Sequence, residues 1–461
     1  MPDSSLPNIL LLVIDSARAD RMSCYGHDRP TTPNLDALAE QGVVFDNCWS
    51  ESNWTLPVCF TALTGLHPRE HQSETHRQLP AGLPTLQEAM GRAGYTTMLA
   101  SANQFVGRNC GLDRGFDLYH MPPHVFRMAK PFFIYIGRRM GWTDVGGGSL
   151  NTHLLSWLDR ADSPWFATVW YNEPHHPFMA KRPFSTRFCP RPLSFWRRQH
   201  LMGRMRSMRQ LAATADEQEI EDVRGLYDGG VAYSDHLVGQ VIEHLQATGR
   251  WHNTAIIVTS DHGDMLGEHG LMGHGRAAGM YAPLVRVPLV VRVPGVLDGG
   301  DRSNALVQLA DVTCTAAALA GRSDDLAPSA AQRVDLREAA AGHGREMAVT
   351  ERQAWPEKGL RREQRQNPAF DFEPHRGRMA RIMREGWAYI RAETAPDELY
   401  HYLEDPGEER NLIATEPGRA SELAALLDEW ECSARPHSAT LGLEAEDDPE
   451  VRKRLEGLGY F

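Results

Sequence analysis

The sequence predicts an α/β protein: a mainly parallel central sheet with helices on both faces, plus a small C-terminal antiparallel subdomain. Three observations carry that prediction. Short apolar runs alternate with helical patterns through the first two thirds of the 461 residues, the sign of successive strand–helix–strand units. The runs are continuously apolar, as strands buried on both faces must be. After about residue 340 the pattern changes to short runs separated by turns.

The first run, residues 8–14 (NILLLVI), ends at Asp15 and reads as a buried strand with a functional residue at its end. A helical pattern over 34–41 follows. In NWTLPVCFTALTG, Pro57 marks a helix start, since proline is favoured in a first turn, and Thr55 is the expected N-cap. Residues 86–92, 219–246 and 310–320 read as helices. Residues 97–100, 165–171, 255–260 and 289–293 read as strands. Ligands in such sheets bind at the carboxyl ends of strands. Asp15 and the pair Asp261-His262 each follow a strand end and are expected on one rim. Farther on, 379–383, 387–390 and 399–403 read as antiparallel strands and 421–430 as a helix. The expected division is 1–340 and 341–461, with insertions near 120–150 and 180–215. Residues 126–142 mix aromatics with Arg and Lys. Residues 181–209 carry many Lys and Arg and no acid, together with Phe184, Phe188, Phe195 and Trp196. These stretches read either as solvated helices snorkelling over the core or as a cationic, greasy cover. The second reading implies an anionic substrate with an apolar or aryl part, and peripheral membrane contact.

Bulk properties narrow the function. With 42% hydrophobic and 23% charged residues the composition is globular. A net charge of -12 argues against a nucleic-acid partner, though not against a small anionic substrate met by a local cation. The seven cysteines are scattered, with no CxxC pair, which suits reduced thiols in a cytoplasmic protein. The N-terminal apolar run lacks a basic leader and is too short for a signal or a membrane span.

Four segments carry chemistry. Asp15 offers a carboxylate at a strand end. TSDHGDMLGEHGLMGHG packs Asp261, His262, Asp264, Glu268, His269 and His274 among five glycines; adjacent Asp and His on a tight turn can both reach one cation. Thr55 at a helix start would present a hydroxyl to unpaired amides and the positive dipole end, where an attacked anion is stabilised. YNEPHHPF sets His175 and His176 between prolines after a strand, suited to anion contact or proton transfer.

In this order the segments resemble the sulfatase family, within the alkaline phosphatase superfamily, from Asn8 to about Asn411. PNILLLVIDSARADRMSCYGHDRPTTPNLDALAEQGVVFDN is similar to the family's opening strand and helix. TLPVCFTALTGLHP is similar to its nucleophile segment, SDHGDMLGEHGLMGHG to its second metal segment, and ELYHYLEDPGEERNL to its C-terminal signature. The resemblance implies one divalent metal ion on Asp15, Asp261, His262 and Thr55, with Thr55 as nucleophile. It implies His175 and His274 as catalytic and substrate-binding residues, His274 standing where many sulfatases carry a Lys. Asn103 lies where the family's Gly-Lys-Trp-His is missing and is the substrate-binding candidate there.

The departures steer the chemistry. Formylglycine sulfatases use Cys or Ser in C/S-x-P-S-R; here the segment is Thr55-Leu56-Pro57-Val58-Cys59. A threonine cannot become formylglycine, and a threonine sulfate has no second hydroxyl from which to expel sulfate. A phosphothreonine can be hydrolysed by in-line water attack at phosphorus. Ser16 replaces a second family Asp, which favours a single metal. The expected activity is hydrolysis of a phosphodiester, phosphonate or phosphomonoester. The alternatives are a sulfatase proper, a transferase, and a binding protein that kept the fold without activity. Mixed carboxylate and imidazole ligands favour manganese or zinc over calcium or magnesium.

Overall fold

The computed structural model describes residues 6–122, 144–176, 178, 180–205, 208–329 and 333–440; the aromatic–basic stretch 126–142 lies outside them. An eight-stranded sheet forms the centre, in the order Asp301–Ser303, Val43–Phe45, Leu289–Arg292, Thr254–Thr259, Asn8–Ile14, Trp165–Tyr171, Thr96–Ser101, Leu118–His120. All neighbours are parallel except Leu289–Arg292, which runs antiparallel to both of its partners. The expected mainly parallel sheet is therefore present.

Why NILLLVI occupies the centre follows from the strand's period of two. Ile9, Leu11 and Val13 enter one apolar cluster, with Val58, Leu63, Met90 and Val312 from the helices Thr55–Thr64, Leu86–Arg92 and Leu309–Leu319. Leu10, Leu12 and Ile14 enter the other, with Leu35, Leu154, Leu226 and Val238 from Pro33–Ala39, Gly147–Leu158 and Glu217–Ala247. A strand covered on both faces must be apolar at every position.

Three short strands of this central sheet were not anticipated: Val43–Phe45, Leu118–His120 and Asp301–Ser303. Each is three residues long, so neither an apolar run nor an alternation can be read from it. The C-terminal sheet has four antiparallel strands rather than three, in the order Ala348–Arg352, Met379–Arg384, Trp387–Ala392, Glu398–His401, with the helix Pro417–Ser433 against it. The extra strand, AVTER, buries Glu351 and Arg352, and charged residues mask a strand in the sequence.

Within residues 180–215 lie the helices Phe195–Arg204 and Met208–Thr214. Basic residues of this stretch brace the long helix: Arg191 and Arg197 pair with Asp222, and Arg204 and His200 approach Glu219. Among the described residues no helix is long and apolar enough to cross a membrane.

Candidate active site

The carboxyl ends of four adjacent parallel strands deliver the site. Asn8–Ile14 leads into Asp15, Thr254–Thr259 into Asp261 and His262, Trp165–Tyr171 into His175, and Thr96–Ser101 into Asn103. The register makes this neighbourhood, with Ile14 beside Tyr171 and Val13 beside Thr259. Thr55 arrives from one helical layer.

Thr55 differs from its expected local role. The N-cap is Trp54, and Thr55 is the first residue of a wholly buried helix. Its side chain makes no cap; Oγ1 lies 3.2 Å from His262 Nε2. Pro57 therefore sits at the third helical position, still within the first turn, where a proline's missing N–H costs nothing.

Asp15, Asp261 and His262 each offer a ligand atom within 4.8 Å of the others. All three are fully buried. His262 Nδ1 lies 2.8 Å from the Gly263 carbonyl, which can only accept, so Nδ1 carries the proton and Nε2 the lone pair. That lone pair faces Asp261 Oδ2 at 3.3 Å and Asp15 Oδ1 at 3.9 Å. No well-formed hydrogen bond satisfies the buried Asp261 Oδ2. Acceptors converging in a low-dielectric setting repel unless a cation lies among them. Burial pushes the Asp261 carboxyl up to about 6, against the hydrogen bonds of the Ser16 amide, the Thr55 hydroxyl and the His262 amide, and pulls His262 down to about 4. Burial, then the neighbouring Asp261, also raises Asp15. A neutral imidazole and two carboxylates strained by burial fit a divalent cation.

Supporting groups hold this geometry. Ser16 adopts a left-handed φ of 63°, a conformation that costs on the order of 1–3 kcal/mol off glycine. It places the Ser16 amide 3.0 Å from Asp261 Oδ1 and Ser16 Oγ 3.0 Å from Asp15 Oδ1, while Tyr227 donates to the Ser16 carbonyl at 2.6 Å. Asn103, expected at the substrate, donates Nδ2 to Asp15 Oδ2 at 2.5 Å and accepts from the Phe105 amide through Oδ1. Gly263 is required by a close approach: a Cβ there would stand 2.2 Å from the Pro283 carbonyl oxygen.

The glycine-rich loop divides its ionisable groups. Asp261, His262, Asp264 and His274 face the site. Glu268 instead pairs with Arg18, and His269 stacks on Tyr281 at 3.7 Å. His274 Nδ1 is 2.6 Å from the buried Asp264 Oδ1. The His274 ring lies 4.4 Å from His262 and 4.8 Å from His175, between centroids. The roles of Ser16 and Tyr227 had no signal in spacing: each depends on contacts between segments far apart in the chain. Asp264 was visible as one of the segment's ionisable groups, though not as the partner of His274.

Comparison with known proteins gives this geometry a family. The family model described as Sulfatase matches residues 7–322. A choline-sulfatase of Rhizobium meliloti (strain 1021) is 28% identical over 361 residues, 69% of this chain and 68% of that protein. A multifunctional alkaline phosphatase superfamily protein, PehA, of Trinickia caryophylli is 26% identical over 358 residues, 62% of this chain and 68% of that protein. The crystal structure of a phosphonate monoester hydrolase of Agrobacterium radiobacter superposes with a TM-score of 0.71 at 22% identity, covering 92% of this chain and 95% of that one.

Proposed function

The chain belongs to the sulfatase family of ester hydrolases, and from that premise we propose that it hydrolyses a phosphorus ester, with Thr55 as nucleophile. The carrying observation is that Thr55 Oγ1 caps nothing and faces the His262 imidazole at 3.2 Å, at the start of a buried helix. Asp15, Asp261, His262 and Thr55 would hold one divalent ion, manganese or zinc by the mixed donor set, supplying Lewis-acid polarisation of the ester and a lower pKa at the hydroxyl.

The Thr55 hydroxyl releases its proton to solvent as Oγ1 attacks phosphorus in line, and the bond to the leaving alcohol breaks. The helix N-terminus, His175 and His274 stabilise charge on the equatorial oxygens. One of these two histidines gives the leaving oxygen its proton. Water then cleaves the phosphothreonine and restores the hydroxyl. The substrate is a small anionic phosphodiester, phosphonate or phosphomonoester.

Sulfate ester hydrolysis is the second reading, favoured by the likeness to a choline-sulfatase. Both are tested together by assaying nitrophenyl phosphate mono- and diesters, a phenylphosphonate ester and nitrophenyl sulfate. Phosphorus esters are expected to turn over faster, and Thr55→Ala to lower kcat on the order of a thousandfold or more. A preference for sulfate overturns the first reading, and full activity in Thr55→Ala removes the nucleophile.

A further inference from the structure

We propose that Arg198 and Arg182 form a binding site for a small tetrahedral oxyanion of the phosphate type. Neither residue belongs to the catalytic rim. Arg198 lies in the helix Phe195–Arg204. It shares a helix face with Leu201 and Met205, three and seven positions on, and both of these enter the apolar cluster beneath. Only 7% of Arg198 is exposed. A cation thus stands where the helix otherwise presents its core-facing side.

The other buried arginines show what such a position requires. Arg18 pairs with Asp20 and Glu268, Arg345 with Asp311, and Arg381 with Glu408. Arg292 donates to the Trp251 carbonyl, and Arg352 to the Gly377 and His375 carbonyls. Among the described residues, the Arg198 side chain has neither a carboxylate nor a carbonyl partner. The acids around its segment are already engaged. Asp222 holds Arg191 at 2.9 Å and Arg197 at 3.0 Å, Glu219 faces Arg197, His200 and Arg204, and Asp144 holds Lys181 at 3.0 Å.

Arg182 is exposed and likewise has no acid partner among the described residues. Burial first, and then the like charge of Arg182, hold the Arg198 guanidinium below its usual range. The Cys189 thiol also acts on Arg198, but burial pushes it up to about 11, so it supplies no negative charge near neutrality. An arginine nonetheless stays charged at neutral pH. A buried charge without a partner is costly, and an anion between the two guanidiniums removes that cost.

The chemistry of the donors defines the ligand. A guanidinium is a planar fork that grips phosphate or carboxylate with two parallel hydrogen bonds. Two neighbouring forks bring two positive charges, which suits a doubly charged oxyanion better than a monocarboxylate. The burial of Arg198 admits a small ion rather than a membrane or a protein surface. With a net charge of -12 the molecule as a whole repels anions, so capture needs a local pair of this kind. Neither the site nor its test rests on the proposed ester hydrolysis.

The test uses the full-length protein stripped with EDTA and titrated calorimetrically with inorganic phosphate at pH 8, with chloride holding the ionic strength constant. Wild type is expected to bind phosphate saturably, and acetate at least tenfold more weakly. Arg182→Ala, an exposed change, should weaken phosphate about tenfold, the loss of one charge-assisted contact. Arg198→Met should abolish this binding and raise the Tm of the phosphate-free protein, because an apolar side chain of similar length replaces an unpaired buried charge. His274→Ala, which lacks an anion contact of the rim, should keep wild-type phosphate affinity. The Arg182→Ala result decides the matter even where Arg198→Met fails to fold. No saturable binding in wild type, or the same affinity in Arg182→Ala, overturns the proposal. So does an Arg198→Met protein that melts lower than wild type and binds phosphate unchanged, or a His274→Ala protein that alone loses the response. Acetate bound as tightly as phosphate overturns the ligand class. Phosphate bound as expected by a protein that turns over no ester would remove the proposed function and leave this site standing.

Discussion

At the scale of single residues, the proposed chemistry separates groups that would react from groups that aim them. Asn103 is the clearest of the second kind. Its amide reaches Asp15 Oδ2 at 2.5 Å while its own carbonyl is fixed by the Phe105 amide. Asp15 thus has its oxygens assigned, Oδ2 to Asn103 and Oδ1 towards Ser16 and His262. Asn103→Ala is expected to lower divalent-ion affinity ten- to a hundredfold, measured by calorimetric titration of stripped protein. Unchanged affinity would show that Asp15 needs no such partner. Asp15, Asp261 and His262 were legible in the sequence because each follows an apolar run, and strand ends in parallel sheets carry function. Thr55 was legible as a helix-start hydroxyl, although it stands one position inside the helix. Asn103 was legible as a position but not as an orienting group, since its contact with Asp15 spans 88 residues.

At the scale of elements, two buried acids join segments far apart in the chain. Glu408 lies in the C-terminal signature ELYHYLEDPGEERNL. It pairs with Arg381 of the strand Met379–Arg384, both fully buried, and accepts from the Ala282 amide at 2.7 Å. The loop that follows the glycine-rich segment is therefore anchored to the small sheet. Glu408→Gln leaves the buried guanidinium without its counter-charge and should cost about 3–5 kcal/mol in urea unfolding. A change under 1 kcal/mol would mean that Arg381 finds another partner. Glu51 behaves oppositely. It accepts from the Ala310 amide at the start of Leu309–Leu319. Burial pushes its carboxyl up to about 7 despite Arg345. Between its unfolded value of 4.5 and 7 the folded chain binds more protons, so its contribution to stability falls as pH rises through that window. Glu51→Gln should match wild type near pH 4 and exceed it by up to roughly 3 kcal/mol above pH 7. Parallel denaturation curves at the two pH values check this; an equal difference at both would contradict it. The signature was recognisable in the sequence, but its physical content, an ion pair anchoring a loop, needed the fold. AVTER was missed for the same reason, because partners for Glu351 and Arg352 had to be known before those positions could be buried.

At the scale of the whole molecule, folding itself makes the charge problem that a cation would solve. The sheet order brings Asp15, Asp261 and Asp264, up to 249 residues apart in the chain, to one buried rim beside a neutral His262. Burial raises all three carboxyls, Asp264 well above the usual range. Removing divalent ions should therefore lower stability, and restoring them should raise it by mass action, by about 2.7 kcal/mol at a hundredfold excess over Kd. The pH dependence has a definite sign. Without metal, Asp261 titrates at about 6 when folded and 3.8 unfolded. As pH falls through that interval the folded chain gains the proton first, so this group's destabilising effect is relieved in acid and fully present above pH 6. An ion competes with that same proton. The rise in Tm on adding zinc or manganese to EDTA-treated protein should consequently be larger at pH 8 than at pH 5. Equal rises at both values would mean that the ion binds away from these carboxylates, and no rise at either would mean that the converging acceptors are balanced by something other than metal.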